Sequence, residues 1–552
     1  MLHTGGLSEQ GAFALTDWLI AVTVIAMLAL SVMETYGQGQ VGETLYNGIR
    51  LPSVWPPRND SLTLAPPALP PYLTAPPAVI PIDVGRQLLV DDFLVERTTL
   101  KRTFHAAEYH PASPVVKPDQ PWEQERGPTA MVFSDGVWYD ARDRLFKMWY
   151  MAGYAHSTCY ATSRDGIHWQ KPSLDVRPGT NVVHAGRRDS GTVWLDLEDK
   201  DPPRRYKLFL YDFSGGLSIW FSPDGIHWND VARTVPTGDR TTVFYNPFRK
   251  VWVYSLREYF PPPEGVGRCR RYWEHPDVLA GAKWKAGEPP LWVGADSLDP
   301  RRPDLDTQPE LYNLDAVAYE SLLLGLFSIW RGQPNDRPKP NEVCVGFSRD
   351  GFHWYRPDRR AFIPVSEHQG DWNWGNVQSA GGCCLIVGDK LYFYVSGRAG
   401  VPGSSASGVS STGLAILRRD GFASMDGGAS GGTLTTRPVR FRGRHLFVNV
   451  DADAGELRVQ VLDNRGKVIA PFSRANCIPV RADETLQVVQ WKGAKDLSAL
   501  AGQPVKFRFH LRNGSLYAFW VSPEASGASH GFVAASGPRF AGMTDTVGGR
   551  SR

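Results

Sequence analysis

From residue 127 to residue 398 the chain is a succession of short apolar runs, rich in β-branched and aromatic residues and bounded by Gly, Pro, Asn or Asp. That is the pattern of strands. The runs come in sets. GPTAMVFS (127–134) and RLFKMWYMAG (144–153) precede TCYATS (158–163), and an Asp-Gly turn leads into IHWQKP (167–172). The same order recurs with GTVWLDL (191–197) and RYKLFLYDF (205–213), then TTVFYNP (241–247) and KVWVYSLRE (250–258). DAVAYES (315–321) with LLGLFSIWRG (323–332), and VQSAGGCCLIVG (377–388) with KLYFYVSGR (390–398), complete the series.

Each set ends in a turn of one kind. Three are nearly identical: SRDGIHW (163–169), SPDGIHW (222–228) and SRDGFHW (348–354). Two are degenerate: HPDVLAGAKW (275–284) and RRDGFAS (418–424). Asp bonds its own backbone two residues on, and Gly accepts positive φ, so Asp-Gly makes a hairpin turn. His168, His227 and His353 recur with the turn and read as structural. Five meanders of about four strands, repeating about every 50 to 75 residues, predict radial repetition. A solenoid would have shorter, more uniform repeats.

After the fifth turn comes a Gly/Ser break, MDGGASGG (425–432), and the pattern changes to apolar–polar alternation. HLFVNVDA (445–452), ELRVQVLD (456–463), QVVQW (487–491), VKFRFHL (505–511) and SLYAFWV (515–521) predict an antiparallel β-sandwich. The expected fold is therefore all-β: a five-bladed β-propeller over 83–427, a β-sandwich over 428–526, and a disordered tail over 527–552. Ahead of them lie an apolar stretch within 1–38 and a Pro-rich segment within 39–82. The apolar stretch (18–32) suits a signal-peptide core or an anchor, although no Lys or Arg precedes it. The Pro-rich segment reads as an extended tether. Export to the periplasm or cell exterior is expected, with membrane contact only through an uncleaved N-terminus.

Composition narrows the chemistry. A net charge of +3 with no basic stripe gives no electrostatic reason to expect nucleic acid. The six Cys form no CxxC pair, so neither a zinc nor a redox signature is present, and they read as buried thiols. No HExxH, GxSxG or P-loop stands out.

In a propeller the innermost strands all start at one rim of the channel. This chain puts polar residues at those starts: Glu123, Glu125 and Arg126; Arg188 and Asp189; Asp239 and Arg240; Glu310, Tyr312, Asn313 and Asp315; Asp371, Trp372, Trp374, Asn376 and Gln378. Several acids in one pocket raise the pKa of one and supply the protonated and ionised pair that glycoside hydrolysis needs. Arg126 and Arg240 would hold acids ionised or bind an anionic sugar. Tryptophans would stack on sugar faces.

A five-bladed propeller with a C-terminal sandwich, carrying segments such as YATSRDGIHWQKP, LLVDDFLVE (88–96) and RFHLRNGSLYAFWVS (508–522), resembles the five-bladed glycoside hydrolases of families 32 and 43. The resemblance implies a glycosidase with its acids on the first three blades. Glu125 would be the nucleophile or base, Asp189 the transition-state stabiliser and Asp239 the acid. The other residues at the strand starts would then contact substrate: Glu123, Arg126, Arg188, Arg240, Glu310, Tyr312, Asp315, Trp372, Trp374, Asn376 and Gln378. The resemblance implies a carbohydrate partner and no cofactor, with room for a structural calcium in the channel. The chain departs from family 32: it has no WMNDPNG opening, RDS (188–190) replaces RDP, and there is no Glu-Cys pair. Two other readings stand beside this one. One is a non-catalytic carbohydrate-binding propeller, whose rim acids would be neutralised by Arg. The other is a sialidase-like enzyme using Arg126, Arg240 and Arg398.

Overall fold

The structure is a computed structural model that describes Met1 and residues 42–549. The apolar stretch 18–32 lies outside the described residues. Residues 42–44 and 50–57 belong to a small separate unit, in which the Leu51 amide donates to the Glu43 carbonyl (2.8 Å). Everything that follows concerns the rest of the chain.

The apolar runs form five consecutive antiparallel sheets. The first contains Ala130–Asp140, Leu145–Ala152, Ser157–Ser163 and Val182–Ala185. The second contains Gly191–Leu195, Tyr206–Tyr211, Leu217–Ser222 and Asn229–Arg233. The third contains Thr242–Asn246, Val251–Phe260, Gly267–His275 and Leu291–Gly294. Glu310–Glu320, Leu322–Trp330 and Glu342–Ser348 make the fourth. Gly375–Ser379, Lys390–Arg398 and Ser410–Arg418 make the fifth.

Bonds between successive sheets run in a closed circuit. Trp138 Nε1 donates to the Val193 carbonyl (2.8 Å) and the Arg240 amide to Ser190 Oγ (3.0 Å). Thr242 Oγ1 donates to the Leu314 carbonyl, Ser379 Oγ to Asp315 Oδ2 (2.6 Å), and the Val132 amide to Thr412 Oγ1 (2.9 Å). The architecture is a β-propeller.

The repeated turns lock this circuit. In the first, Asp165 Oδ1 accepts from the amides of Ile167 and His168, and His168 Nδ1 sits 2.7 Å from Oδ2. Asp224 and Asp350 repeat the arrangement with His227 and His353. An aromatic from the preceding sheet then grips each turn. Tyr394 Oη donates to the Gly166 carbonyl, Trp149 Nε1 to Gly225 (2.6 Å) and Trp292 Nε1 to Phe352 (2.6 Å). The degenerate fifth turn is held likewise, by Tyr319 Oη on Asp420 Oδ1 (2.6 Å).

Three expected boundaries need correction. First, the sandwich is not confined to 428–526. One of its sheets runs Asp483–Val488, His445–Asp451, Gly514–Ser522, Ala423–Gly427, Lys101–Phe104, with Gln87–Leu88 also against Gly514–Ser522. The other runs Val95–Thr98, Gly432–Thr436, Lys506–Arg512, Glu456–Leu462. Residues 87–104 therefore belong to the sandwich, and the following Glu108–Tyr109 supplies the outer strand of the fifth propeller sheet. Second, the Pro-rich segment from residue 58 onward is no free tether. Tyr72 is buried, the Ser297 amide donates to the Leu64 carbonyl (2.7 Å), and Ile80–Pro81 pairs with Val439–Arg440. Third, residues 527–549 are packed. Phe532–Val533 pairs with Tyr319–Glu320, and Val533, Ala535 and Phe540 are buried. All six Cys are free and buried.

Candidate active site

The starts of the second and third inner strands bring two acids together. Asp189 precedes Gly191–Leu195, Asp239 precedes Thr242–Asn246, and the bond from the Arg240 amide to Ser190 Oγ ties the two starts to each other. Oδ1 of Asp189 is buried and has no hydrogen-bond partner. Burial pushes the Asp189 carboxyl above its usual 3.8; Arg240 pulls it back and the neighbouring Asp239 charge pushes it further up. Asp239 is ion-paired with Arg257 Nη1 (2.5 Å) and about one-third exposed. Tyr211, at the end of Tyr206–Tyr211, accepts at its carbonyl from the Asp189 amide (2.8 Å), and its phenol is raised by burial and then by the Asp239 and Asp189 charges. Two carboxyl groups on adjacent sheets thus meet different surroundings, one with a buried, unpartnered oxygen, the other held by a guanidinium. That contrast separates acid from base in carboxylate catalysis.

Below them the channel is filled by the first inner strand itself. Its register slips between Met131 and Gly136, and the extra residues bulge inward. Ser134, at φ 64°, donates to Asp315 Oδ2 (2.9 Å) and accepts from Asn313 Nδ2 (2.9 Å) and Arg240 Nη2 (3.1 Å). Asp135 is fully buried against Arg188 Nη1 (2.5 Å). Arg126, Arg240 and Asn376, each at an inner-strand start, also adopt positive φ (61°, 57° and 51°). Each such residue costs about 1–2 kcal/mol. Strain of this kind collects at functional sites.

Several expected site residues lie elsewhere. Glu123 is fully buried, accepting from the Asp119 and Gln120 amides and from Tyr150 Oη (2.7 Å), with Lys171 Nζ at 2.8 Å. It anchors the loop rather than facing the channel. Arg188 is taken by Asp135, and Glu310 by Arg268. Asp315 is buried under three donors, from Ser134, Asn313 and Ser379. Trp372 covers Gly397 and Gly413 and meets Tyr109 edge-on, while Trp374 packs on Gly400 beneath Arg337. Neither indole is a sugar platform. Asn376 and Gln378 lie in a buried amide cluster with Asn341.

Glu125 stays partly exposed, its Oε2 2.7 Å from His156 Nε2, on the loop whose Ala155 carbonyl accepts from the Arg188 amide (3.3 Å). Arg126 is exposed. Tyr312 is half-buried, with Lys339 Nζ donating to its Oη (2.9 Å).

Reading by strand starts missed Tyr211, Arg257 and Arg270, which sit on second and third strands rather than at inner-strand starts. The signal was present in the RCRR run (268–271), a basic cluster inside an otherwise apolar meander. Among the described residues no group of three or more His, Cys, Asp or Glu is placed to hold a metal ion.

No protein-family model matches the chain, and no curated protein matches its sequence. Solved structures similar to it include an N-acetylgalactosamine deacetylase from F. plautii in complex with blood group B trisaccharide. That match has 13% identity and a TM-score of 0.37, covering 62% of this chain and 97% of that one. A thermostable family-43 glycoside hydrolase matches at 10% identity and TM-score 0.38, over 55% of this chain and 95% of that one. A fructofuranosidase from Schwanniomyces occidentalis complexed with fructosylnystose matches at 13% identity and TM-score 0.32, over 72% and 98%. At these values the likeness adds nothing to what the sheet order already shows.

Proposed function

We propose that the protein is a glycoside hydrolase working at the channel mouth, with Asp189 as the general acid and Asp239 as the base or nucleophile. The observation that carries this is the dry, unpartnered Oδ1 of Asp189 beside an ion-paired Asp239. The acid must hold a proton at working pH and deliver it to the leaving oxygen, and burial favours that protonated form. Asp239, held by Arg257, would act on the anomeric carbon directly or through water. Tyr211 would steady the carboxylate between steps. Glu125, with its His156 partner, moves in this scheme from nucleophile to a rim contact.

The test is a glycan-hydrolysis screen of the purified protein beside Asp189→Asn and Asp239→Asn. Loss of one oriented acid should lower kcat about 100-fold or more. Full turnover by Asp189→Asn would remove it from the mechanism. One observation favours a second reading, a sugar-binding propeller without catalysis: Asp239, Glu310 and Glu123 are each neutralised by a cation. Under that reading the wild-type protein binds glycans in the screen but releases no product.

A further inference from the structure

The buried arginines of this protein fall into two groups. Arg86, Arg188, Arg331, Arg337, Arg349, Arg356 and Arg419 each have a carboxylate within ion-pairing distance. Arg240, Arg270 and Arg398 are buried to the same degree, at 2%, 0% and 6% exposure, and among the described residues none of them forms an ion pair. All three are at the channel mouth.

Their partners are neutral. Arg240 donates to the Phe133 carbonyl (3.0 Å) and Ser134 Oγ, lies 3.8 Å from the centre of the Phe133 ring, and leaves its buried Nε unpartnered. Arg270 donates to the carbonyls of Arg240 (2.7 Å) and Tyr312, and its Nε is also unpartnered. Arg398 donates to Ser407 Oγ (2.7 Å), lies 2.8 Å from the Asn376 amide, and faces the rings of Phe133 (5.9 Å) and Tyr154 (5.4 Å). Phe133 therefore has a guanidinium near it from each of two sheets.

Burying a charge without a counter-charge is expensive, and proteins avoid it by pairing. Elsewhere among the described residues the buried arginines are paired. At the mouth the nearby acids are Asp189, Asp239 and Asp315; Asp239 is taken by Arg257, which leaves two acids for three guanidiniums, and burial favours Asp189 in its neutral form. The missing negative charge is one a ligand would bring.

We propose that the ligand of the channel mouth is an anionic saccharide, whose carboxylate or sulfate group is received by Arg398 and Arg240, with Arg270 beneath them. The planar guanidinium fork suits either group. Tyr154, more than one-third exposed above Arg398, offers a face for the sugar ring. The inference rests on reading the mouth as a saccharide site, and it specifies the sugar's charge.

Matched oligosaccharides test it: one neutral backbone, the same backbone with uronate carboxylates, and the same backbone O-sulfated, each titrated calorimetrically into the full-length protein. One anionic form should bind at least tenfold more tightly than the neutral form, and the gap should narrow in high salt. Which form wins tells carboxylate from sulfate. Arg398→Gln should abolish the discrimination and Arg398→Lys should keep part of it. If either variant fails to fold, the wild-type comparison decides alone. Equal or tighter binding of the neutral form overturns the proposal, even where that neutral glycan is hydrolysed. Preferential binding of an anionic form without turnover upholds it and counts against the hydrolase reading. No binding by any member of a broad series overturns both.

Discussion

Asp189 is the residue on which the proposed chemistry turns, and its burial makes a claim about stability as well as catalysis. Its native pKa stands above the ordinary 3.8 because burial disfavours the charge. Between 3.8 and that raised value the folded protein binds more protons than the unfolded chain, so stability falls as pH rises through this window. Asp189→Asn removes the ionisation. The variant should therefore be at least as stable as wild type at pH 7, with the difference vanishing below pH 3.8. Urea titrations at both pH values check this. A variant clearly weaker at pH 7 would mean that the carboxylate makes stabilising bonds. Activity should follow the same proton: kcat should fall as pH rises through the Asp189 pKa, and the descending limb should be absent from the residual activity of the Asn variant.

At the scale of the element, the repeated turn is where sequence and structure agree most closely. Ser, Asp and Gly recur because the side-chain bonds to the turn amides, the positive φ and the room left for the gripping aromatic of the preceding sheet each need one particular residue type. Gly225 shows two of these demands at once. Its φ is +82°, and a Cβ there would lie 2.4 Å from Cζ2 of Trp149. Gly179 has a similar φ of +80° with nothing within 4 Å. Gly179→Ala should cost about 1–2 kcal/mol, from backbone strain alone. Gly225→Ala adds overpacking worth about 1–3 kcal/mol. Denaturant unfolding of the two variants should rank them in that order, with turnover per folded molecule unchanged; equal losses would mean Trp149 yields freely. That Asp189 and Asp239 stand at neighbouring strand starts was legible for a related reason: strand starts are periodic landmarks. Trp372, Trp374 and Glu123 share that position but are claimed by neighbours, Gly397 and Gly413, Gly400, and Lys171, that lie in distant parts of the sequence. The inward bulge at Ser134 was not legible, because the Ser-Asp-Gly of residues 134–136 reads as the turn that ends a strand rather than as a slip within one.

At the scale of the whole molecule, the pairing of distant segments is what the chain pattern did not disclose. The short strands at residues 87–104 have no local partner, and the Gly-rich end reads as solvent-loving until its few apolar residues are seen to be buried. One ion cluster joins these regions. Arg86 meets Asp420 (2.9 Å), and Arg419 meets Glu320 (3.0 Å) and Asp545 (3.2 Å). The final segment also runs across the end of the channel opposite the mouth. The Tyr139 amide donates to the Ala535 carbonyl (3.0 Å), the Ala535 amide to Cys384 (3.0 Å), and the Ile386 amide to Ser536 (2.9 Å). It thus touches the first, fourth and fifth sheets together. Deleting residues 527–552 removes buried Val533 and Phe540, each worth about 1.5–3 kcal/mol of burial. It also strips an edge pairing from Tyr319–Glu320 and one of two carboxylates from Arg419. The melting temperature should fall by on the order of 5–10 °C, and the exposed channel end should bind a hydrophobic dye. Because Asp189 and Asp239 stand at the other end, ligand affinity at low temperature should be kept. A truncated protein that melts with the full-length chain and binds no dye would show that the segment contributes nothing to the fold; loss of ligand affinity in a protein still folded would show that the two ends of the channel are coupled.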